Sequence, residues 1–446
     1  MLIEEQNLRS IGLRMRNQQT NSRELTELFL NRIKSQNAKL KAFVHVDEQM
    51  ALTSAAAIDG LLAAGTDLGP LMGIPMGVKD LLAVQGMPVL AGSKLDLIDL
   101  IGSEGSFVKT LKRSGCIIIG KTRTIEFAAG AQNISHPTPW NPCDTQVHKT
   151  PGGSSSGSAV AVGASLCAWA IGSDTGGSVR LPAAFCGIFG IKTSTGLLAL
   201  DGIFPLCPIM DSLGWFTRSA DDAGLVLETI CGLQSKTLPA LRGVRFGIPE
   251  NFFMDDLDPQ VEQCFEQAVK ILGKVGVEFV SISLPEVEET AEIFAHLVPS
   301  ELLANLGRDR FSRNLDKIDP VAVDRLSHAL DIQVDDYLRM RKRLKECGKI
   351  GYAQFNDIDG WICPTSPLVP QPLTGVSTTD TAVAFSAKAL RNTRPGNLYN
   401  LCAASLPVGH LGGDGAPVGL QLHCAHGDDA RLLSLCVAME YVLRDN

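Results

Sequence analysis

The sequence lacks the common signatures of metal, redox and nucleotide sites. Its 12 cysteines include no Cys-x-x-Cys pair, and its 8 histidines include no His-Glu-x-x-His motif. His423 and His426 could share a helical face, but His423 closes a predicted strand. No phosphate loop precedes a helix, and no dinucleotide-binding glycine fingerprint is present. We therefore expect an activity that needs no metal and no organic cofactor.

Linkers, repeats and targeting segments are missing as well. The length of 446 residues alone suggests two or three domains, yet no Pro/Ser-rich or charged tract separates them. We expect a single domain over residues 1–446. Residues 1–6 lack the basic start and apolar core of a signal peptide, and the apolar run 159–171 is too short to span a membrane. These absences predict a cytoplasmic protein without membrane contact.

The net charge indicates which partners to expect, and the placement of the cysteines indicates their redox state. The net charge of −8 and the pI near 5.6 disfavour an electrostatic surface for nucleic acid. The basic residues within 339–345 are typical of a solvated helix face. Most cysteines lie in apolar contexts, as Cys167 and Cys186 do, and are expected to be reduced core residues. The expected partner is a small molecule, and a homodimer is left open.

Two Gly/Ser-rich loops and one lysine supply the candidate catalytic groups of this sequence. Residues 150–158 read Thr-Pro-Gly-Gly-Ser-Ser-Ser-Gly-Ser, and residues 172–180 read Gly-Ser-Asp-Thr-Gly-Gly-Ser-Val-Arg. Upstream, Lys79 follows a short apolar run. Hydroxyl groups, backbone amides that a ligand can approach and a lysine are the groups that acyl transfer without histidine requires.

The second loop predicts an oxyanion hole. Ser178 follows two glycines, and we expect no helix directly after it. Neighbouring peptide N–H groups could then point into one small space, and glycine permits the unusual backbone angles that this needs. The predicted donors are the amides of Thr175, Gly176, Gly177 and Ser178.

These motifs resemble those of the amidase signature family, which includes amidases, fatty acid amide hydrolase, malonamidase and the A subunit of glutamyl-tRNA amidotransferase. The likeness is specific at residues 77–80, 151–158 and 172–187, and weaker at 359–367 and 416–421. The resemblance implies an α/β fold with one large mixed, twisted β-sheet flanked by helices on both faces.

The resemblance also implies roles for three side chains. Ser178 is expected to be the nucleophile, Lys79 the base, and Ser154, on a cis peptide after Gly153, the relay between them. The chemistry agrees, because a serine hydroxyl needs a base to take its proton. A lysine can be that base near neutral pH only when desolvation lowers its pKa, and apolar residues precede Lys79.

A different nucleophile is also conceivable from the first loop. Residues 153–157 fit the Gly-x-Ser-x-Gly elbow of α/β-hydrolases, which would make Ser155 the nucleophile. That motif needs a strand directly before it and a histidine late in the chain. Residues 149–152 do not predict a strand, although downstream histidines are available. We expect Ser155 to support the active site by hydrogen bonding, and Asp174 and Arg180 to be supporting residues.

Apolar patterning predicts alternating helices and strands, which favours a mostly parallel sheet covered by helices. Asp258 offers an N-cap, with Pro259 at the first helical position. Residues 286–351 are expected to be mainly helical and, by the resemblance, to cover the substrate entrance. The other predicted elements are helices at 106–113, 158–165 and 428–443, strands at 116–119, 166–171, 244–248 and 279–284, and a hairpin of 405–409 with 417–422.

Departures from the amidotransferase sequence pattern favour a free-standing enzyme. Residues 192–197 read Lys-Thr-Ser-Thr-Gly-Leu, without the proline and arginine of that subunit's Lys-Pro-Thr-x-Gly-Arg. Residues 391–397 also resemble stand-alone amidases more closely. We therefore expect hydrolysis of a carboxamide, an aryl amide or a carbamate through an acyl-enzyme on Ser178. The alternative is a glutaminase-type A subunit of a tRNA-dependent amidotransferase complex.

Overall fold

The computed structural model describes residues 7–235, 240–412 and 415–444. The prediction made from residues 1–6 lies outside this part, and so do positions 413 and 414 in the loop of the predicted hairpin. None of the described helices combines the length and the apolar character that crossing a membrane requires.

One sheet of 11 strands runs through the described chain. Its strands are β1 (Phe43–Val46), β2 (Pro75–Lys79), β3 (Ile117–Thr122), β4 (Trp169–Asp174), β5 (Phe189–Lys192), β6 (Ser212–Thr217), β7 (Arg245–Pro249), β8 (Glu278–Ile282), β9 (Gly360–Pro364), β10 (Cys402–Pro407) and β11 (Gly419–Cys424). Their spatial order is β1-β3-β2-β4-β6-β5-β10-β11-β9-β7-β8. Strands β2 and β4 are neighbours, so the lysine that ends β2 lies beside the loop that follows β4.

Helices flank this sheet. In the described residues they are α1 (Leu8–Arg16), α2 (Ser22–Leu40), α3 (Glu48–Ala63), α4 (Ile98–Ile101), α5 (Ser106–Arg113), α6 (Ser156–Gly163), α7 (Arg180–Phe185), α8 (Ala220–Cys231), α9 (Pro259–Lys274), α10 (Thr290–Leu306), α11 (Arg308–Ser312), α12 (Pro320–His328), α13 (Val334–Ala353), α14 (Thr379–Ala389), α15 (Arg394–Leu398) and α16 (Asp429–Arg444). The expected helical segment 286–351 is confirmed by α10 to α13.

The sheet is mixed, as expected, but it is not mostly parallel. Four strand pairs among the described residues are parallel, namely β2 with β3 and β4, and β7 with β8 and β9. The other six pairs are antiparallel. Patterning overestimated the parallel content because β5 and β6 are joined without a crossover helix, and such a connection returns a strand beside its predecessor in the opposite direction.

Several predicted elements are confirmed with small shifts. Helix α5 has the predicted bounds, and the side chain of Asp258 accepts a hydrogen bond from the N–H of Gln260 at the start of α9. The predicted hairpin is the antiparallel pair β10–β11. The strand predicted at 166–171 begins three residues later, at Trp169. All residues from 166 to 175 are buried, so no alternation marks where the strand starts.

One expectation about the second Gly/Ser loop is wrong. A helix does follow Ser178 closely, because α7 begins at Arg180. Pro182 lies in its first turn, where the N–H that proline lacks would have had no helical partner.

Most of the cysteines are core residues. All 12 are free thiols, and 10 of them are buried. The prediction of a reduced set without a disulfide framework is therefore confirmed.

Candidate active site

Strand β2 carries Lys79 into the interior. Lys79 is the last residue of this strand and is completely buried. Its Nζ lies 2.8 Å from Oγ of Ser154 and 2.9 Å from Oγ of Ser173. The amine therefore has two hydroxyl partners, one from each Gly/Ser loop.

Burial changes the acid–base properties of this amine. Desolvation lowers the pKa of Lys79 to about 7, and the carboxylates of Asp174 and Asp211 offset only part of this effect. A large fraction of the amine is consequently neutral near neutral pH. A neutral amine has a lone pair that can accept a proton from a neighbouring hydroxyl.

The first loop presents Ser154 on an unusual backbone. The Gly153–Ser154 peptide is cis, as the family resemblance implies. The carbonyl oxygen of Ser154 accepts a 3.0 Å hydrogen bond from the N–H of Ile125. A Cβ on Gly153 would lie 2.7 Å from Cγ1 of Ile125 and 2.9 Å from the carbonyl oxygen of Ala131, so only glycine fits there.

The second loop holds Ser178 against the first. Ser178 is 5% exposed, so it is nearly buried yet still reachable. The N–H of Ser155 donates a 3.2 Å hydrogen bond to the carbonyl oxygen of Ser178. This bond and the contacts of Lys79 bring the lysine and both loops into one site.

The proposed oxyanion amides need one correction. The N–H of Gly177 donates a 2.8 Å hydrogen bond to Oδ1 of Asp174 and is not available to a ligand. In the described part of the chain, the N–H groups of Thr175, Gly176 and Ser178 have no hydrogen-bond acceptor. These three amides remain the predicted donors. The sequence pattern does not show that the carboxylate of Asp174, three residues earlier, accepts a hydrogen bond from the fourth amide, that of Gly177.

Position 177 requires glycine for a structural reason and not for an oxyanion donor. Its φ is +121°, and a Cβ there would collide with Oγ1 of Thr393. That hydroxyl donates 2.8 Å to the carbonyl oxygen of Gly176. Glycine thus lets the loop approach Thr393 closely enough to be fixed by it.

Asp174 and Arg180 form a buried ion pair at the base of the second loop. Nη2 of Arg180 lies 2.9 Å from Oδ1 of Asp174, and both side chains are fully buried. Burial raises the pKa of the Asp174 carboxyl, but Arg180 outweighs this effect and holds that pKa well below its usual range. The guanidinium donates five hydrogen bonds, to both oxygens of Asp174, to the carbonyl of Thr393, and to the side chains of Gln421 and Asn397.

This network leaves Arg180 no donor for a ligand, because a guanidinium has five N–H groups in all. Its position fixes the shape of the loop that carries Ser178.

Ser155 lies in the position of a supporting group. Its hydroxyl donates 3.2 Å to the carbonyl of Ser173 and accepts a hydrogen bond from the Ser173 N–H. No strand is present between residues 123 and 155, where only an isolated bridge of Lys149 with Pro372 occurs. His423, one of the late histidines, is buried and stacked on Trp361. The geometry of a nucleophile elbow is therefore not found at Ser155.

Two further residues of the site were missed from sequence. Ser173, the second hydroxyl beside Lys79, follows from the parallel pairing of β2 with β4, which sets Val78 beside Ile171. Asp211 lies outside every motif, and it accepts hydrogen bonds from the hydroxyl of Thr175 and from two backbone amides. Burial raises the pKa of Asp211, and its hydrogen bonds and Lys79 lower it in part.

A cavity adjoins these groups. It has a volume of about 160 Å³ and is lined in part by Leu81, Ala128, Ser173, Thr175, Phe204 and Asp211. Its wall is mainly apolar. Among the described residues, no group of three or more His, Cys, Asp or Glu side chains could hold a metal ion.

Comparisons with known proteins identify the family of this chain. The Amidase family model matches residues 24–433. The 2-amino-5-chloromuconic acid deaminase of Comamonas testosteroni is 38% identical, over 91% of this chain and 89% of that protein. The A subunit of the glutamyl-tRNA(Gln) amidotransferase of Hahella chejuensis is 33% identical, over 94% of each. A crystal structure of an amidase superposes with a TM-score of 0.88 at 29% identity, covering 98% of this chain and all of that one. The chain therefore belongs to the amidase family of enzymes that hydrolyse carbon–nitrogen bonds.

Proposed function

We propose that this protein hydrolyses a linear amide, which is a carboxamide, an aryl amide or a carbamate, through an acyl-enzyme on Ser178. Lys79 is the base, and Ser154 relays protons between Lys79 and Ser178. The observation that carries the proposal is the buried amine of Lys79, whose Nζ lies 2.8 Å from Oγ of Ser154. A neutral lysine can donate to Ser173 and still accept a proton from Ser154 through its lone pair.

The first half of the reaction forms the acyl-enzyme. Oγ of Ser178 attacks the carbonyl carbon while its proton passes to Ser154, whose own proton passes to Lys79. The resulting oxyanion accepts hydrogen bonds from the amides of the second loop. The carbon–nitrogen bond then breaks, and the leaving nitrogen takes a proton from Ser154, which regains one from Lys79.

The second half repeats these steps with water. Water attacks the acyl carbon and gives its proton to the same relay, and the carbon–oxygen bond to Ser178 breaks as that oxygen is protonated. The products are an amine, or ammonia for a primary amide, and a carboxylic acid, or for a carbamate a carbonic acid half-ester. Every proton is accounted for by the three side chains, so this cycle uses no external acid or base.

The relatives support two versions of the activity. The deaminase acts, by its name, on 2-amino-5-chloromuconic acid, and this favours a free-standing enzyme with a small substrate. The amidotransferase relatives support the alternative of a glutaminase-type component of a larger complex. We favour the first version because residues 192–197 lack the proline and arginine of the amidotransferase motif.

The test uses the purified chain with a chromogenic anilide and small primary amides. We expect turnover without any added protein, and we expect Ser178→Ala to remove it while circular dichroism and the melting temperature stay unchanged. Ser155→Ala is the matched comparison and should keep measurable activity, although reduced, because the Ser155 hydroxyl supports the site only through Ser173. A Ser178→Ala protein that still turns over, beside an inert Ser155→Ala protein, would move the nucleophile to Ser155. Glutamine hydrolysis only after addition of the amidotransferase partner proteins would favour the alternative.

A further inference from the structure

Asp211 carries a buried carboxylate at the edge of the active site. It lies directly before β6. Its Oδ1 accepts a 2.5 Å hydrogen bond from the hydroxyl of Thr175, and its Oδ2 accepts 3.0 Å hydrogen bonds from the N–H groups of Leu206 and Cys207. All three donors are neutral, and Asp211 forms no ion pair within the described chain. The position of this carboxylate is therefore fixed, while its negative charge stays uncompensated.

Strand pairing brings this carboxylate to the side of the molecule where Lys79 lies. Strand β6 runs antiparallel to β4 with Ser212 opposite Asp174, so Asp211 lies beside the end of β4. Ser173, whose hydroxyl is 2.9 Å from Nζ of Lys79, lines the same cavity as Asp211. Among the described residues, Asp211 makes no hydrogen bond with Lys79. Asp211 can therefore influence the amine only through the electric field of its charge.

Two carboxylates act on the amine of Lys79, and they differ in their own partners. Asp174 and Asp211 both raise the pKa of Lys79 and so offset part of the effect of burial. Asp174 is compensated by the guanidinium of Arg180 at 2.9 Å and by the charge of Lys192. In the part of the chain that the structure describes, Asp211 has no such cation. Its negative charge is therefore available to the lysine.

The other ionisable groups around the lysine and this carboxylate are paired or uncharged. Asp80, the residue after the lysine, forms a buried ion pair with Lys121 of β3 at 2.9 Å. Burial keeps the pKa of the Cys207 thiol well above its usual value, so that this thiol is neutral near neutral pH. Glu301 of α10, which also acts on this thiol, accepts a hydrogen bond from the hydroxyl of Tyr337.

We propose that Asp211 stabilises the positive charge that Lys79 acquires when it takes a proton from Ser154. Ser154 takes the proton of Ser178 in the same step, and the lysine later returns its proton through Ser154 to the leaving nitrogen. Asp211 gains and loses no proton. A buried ammonium group without a counter-charge is costly, so a fixed negative charge nearby favours the proton transfer.

Asp211 makes no bond to the reacting groups and acts through Lys79, which makes it a positioning residue. The inference deepens the proposed function and rests on it for the role of Lys79 as the base. It adds a residue that lies outside the Gly/Ser loops and the lysine motif.

The first experiment removes the charge and keeps the shape of the side chain. In Asp211→Asn, the amide oxygen can still accept from the two backbone N–H groups, and the amide nitrogen can donate to the hydroxyl of Thr175. We expect the apparent pKa of kcat/KM for a chromogenic anilide to fall, because loss of a negative charge disfavours the ammonium form of Lys79. The plateau of kcat should fall about tenfold or more, and KM should change less than about threefold. A lower plateau with an unchanged apparent pKa would mean a structural role and would overturn the inference.

Asp222→Asn is the matched control for this substitution. Asp222 of α8 is also buried, and burial raises its pKa to about 6. Its carboxylate accepts a 2.6 Å hydrogen bond from the N–H of Leu8, at the start of α1. We expect this variant to keep the wild-type pH profile. An equal shift of the apparent pKa in Asp222→Asn and Asp211→Asn would contradict the proposal.

The second experiment changes the neighbour that holds the charge. Thr175→Val removes the hydrogen bond to Oδ1 of Asp211, and this bond favours the charged carboxylate. The apparent pKa should therefore move in the same direction as in Asp211→Asn, and Thr175→Ser, which keeps the hydroxyl, should restore the wild-type profile. The double variant Thr175→Val/Asp211→Asn should have the apparent pKa of Asp211→Asn, because both changes act on one charge. Additive shifts would contradict this explanation.

Direct titration of Lys79 separates this inference from the catalytic proposal. Isotope labelling of the lysine ε-carbons in Ser178→Ala allows the amines to be titrated by NMR, and the signal lost in Ser178→Ala/Lys79→Met identifies Lys79. Adding Asp211→Asn to Ser178→Ala should lower the pKa of this signal. If it does but the wild-type protein hydrolyses no amide, the hydrolase proposal fails and the charge interaction stands. If the wild-type protein hydrolyses amides and Asp211→Asn leaves the pKa of Lys79 unchanged, the inference fails and the hydrolase proposal stands.

Discussion

Nζ of Lys79 and Oγ of Ser154 lie 2.8 Å apart although 75 residues of sequence separate them. The contact joins Lys79, at the end of strand β2, to Ser154, whose peptide bond with Gly153 is cis. The contact pairs a buried amine with a hydroxyl group, and the consequences can be measured in activity, in pH dependence and in stability.

The first prediction concerns the pH dependence of activity. The pKa of Lys79 is lowered to about 7 by burial. The active form of a lysine base is the neutral one, so kcat/KM should rise with pH through an apparent pKa near that value, far below the usual lysine value of about 10.4. Lys79→Ala should reduce kcat at least about 100-fold, because it removes the acid and the base together. A Lys79→Ala protein with wild-type kcat would rule this base out.

The second prediction is that Lys79→Met inactivates the protein and yet raises its melting temperature at pH 6. The folded-state pKa of Lys79 is lower than the unfolded one, so the unfolded chain binds the extra proton between pH 7 and about 10.4. The contribution of Lys79 to the stability of the wild-type protein therefore rises as the pH increases from about 7 to about 10.4. The advantage of Lys79→Met should be constant below about pH 7 and shrink as the pH approaches 10. Calorimetric melting curves at several pH values test the sign.

The third prediction concerns the close approach of Gly177 to Thr393. Gly177→Ala must place a Cβ against Oγ1 of Thr393 at a φ of +121°. Gly65 is the matched control, because its φ is +82° and a Cβ there meets nothing within 4 Å. We expect Gly65→Ala to cost about 1 kcal/mol of unfolding free energy, the cost of the backbone angle alone. Gly177→Ala should cost more and remove activity.

Relief of the collision is the check on this explanation. Adding Thr393→Gly, which removes Oγ1 together with the Cβ that would lie 2.5 Å away, to Gly177→Ala should recover part of the lost stability, measured by urea unfolding. If the double variant is no more stable than Gly177→Ala, the contact with Thr393 is not what requires glycine.

The fourth prediction concerns Arg180. Arg180→Gln leaves the buried carboxylate of Asp174 without its partner, and breaking a buried pair costs about 3–5 kcal/mol. Arg23→Gln is the control, since Arg23 forms an exposed pair with Glu27 in α2 and should change stability by less than about 1 kcal/mol. Equal effects of both substitutions on the free energy of unfolding would contradict the role assigned to Arg180.

The family resemblance made the central residues predictable. The motifs at residues 77–80, 151–158 and 172–187 carry that resemblance, and it implies the roles of Lys79, Ser154 and Ser178, with which the chemistry of hydroxyls, glycines and a lysine after an apolar run agrees. Helix signals were informative as well, and Asp258 caps α9 as its position before a proline predicts.

Long-range contacts were not predictable. The parallel content of the sheet was overestimated, because patterning shows where strands are but not how they pair. Ser173 and Asp211 reach the site only through strand pairing and loop packing. The hydrogen bond from the Gly177 amide to Asp174 depends on the folded shape of the loop, which the sequence pattern does not show.

The acyl-enzyme on Ser178 is the central claim, and a partitioning measurement tests it most directly. An amide and an ester with the same acyl group are hydrolysed in the presence of hydroxylamine, and the ratio of hydroxamate to acid is measured for each. We expect one common ratio, because both substrates pass through the same acyl-enzyme, which retains no trace of its leaving group. A ratio that differs between the amide and the ester would show that no shared covalent intermediate forms and would contradict the account.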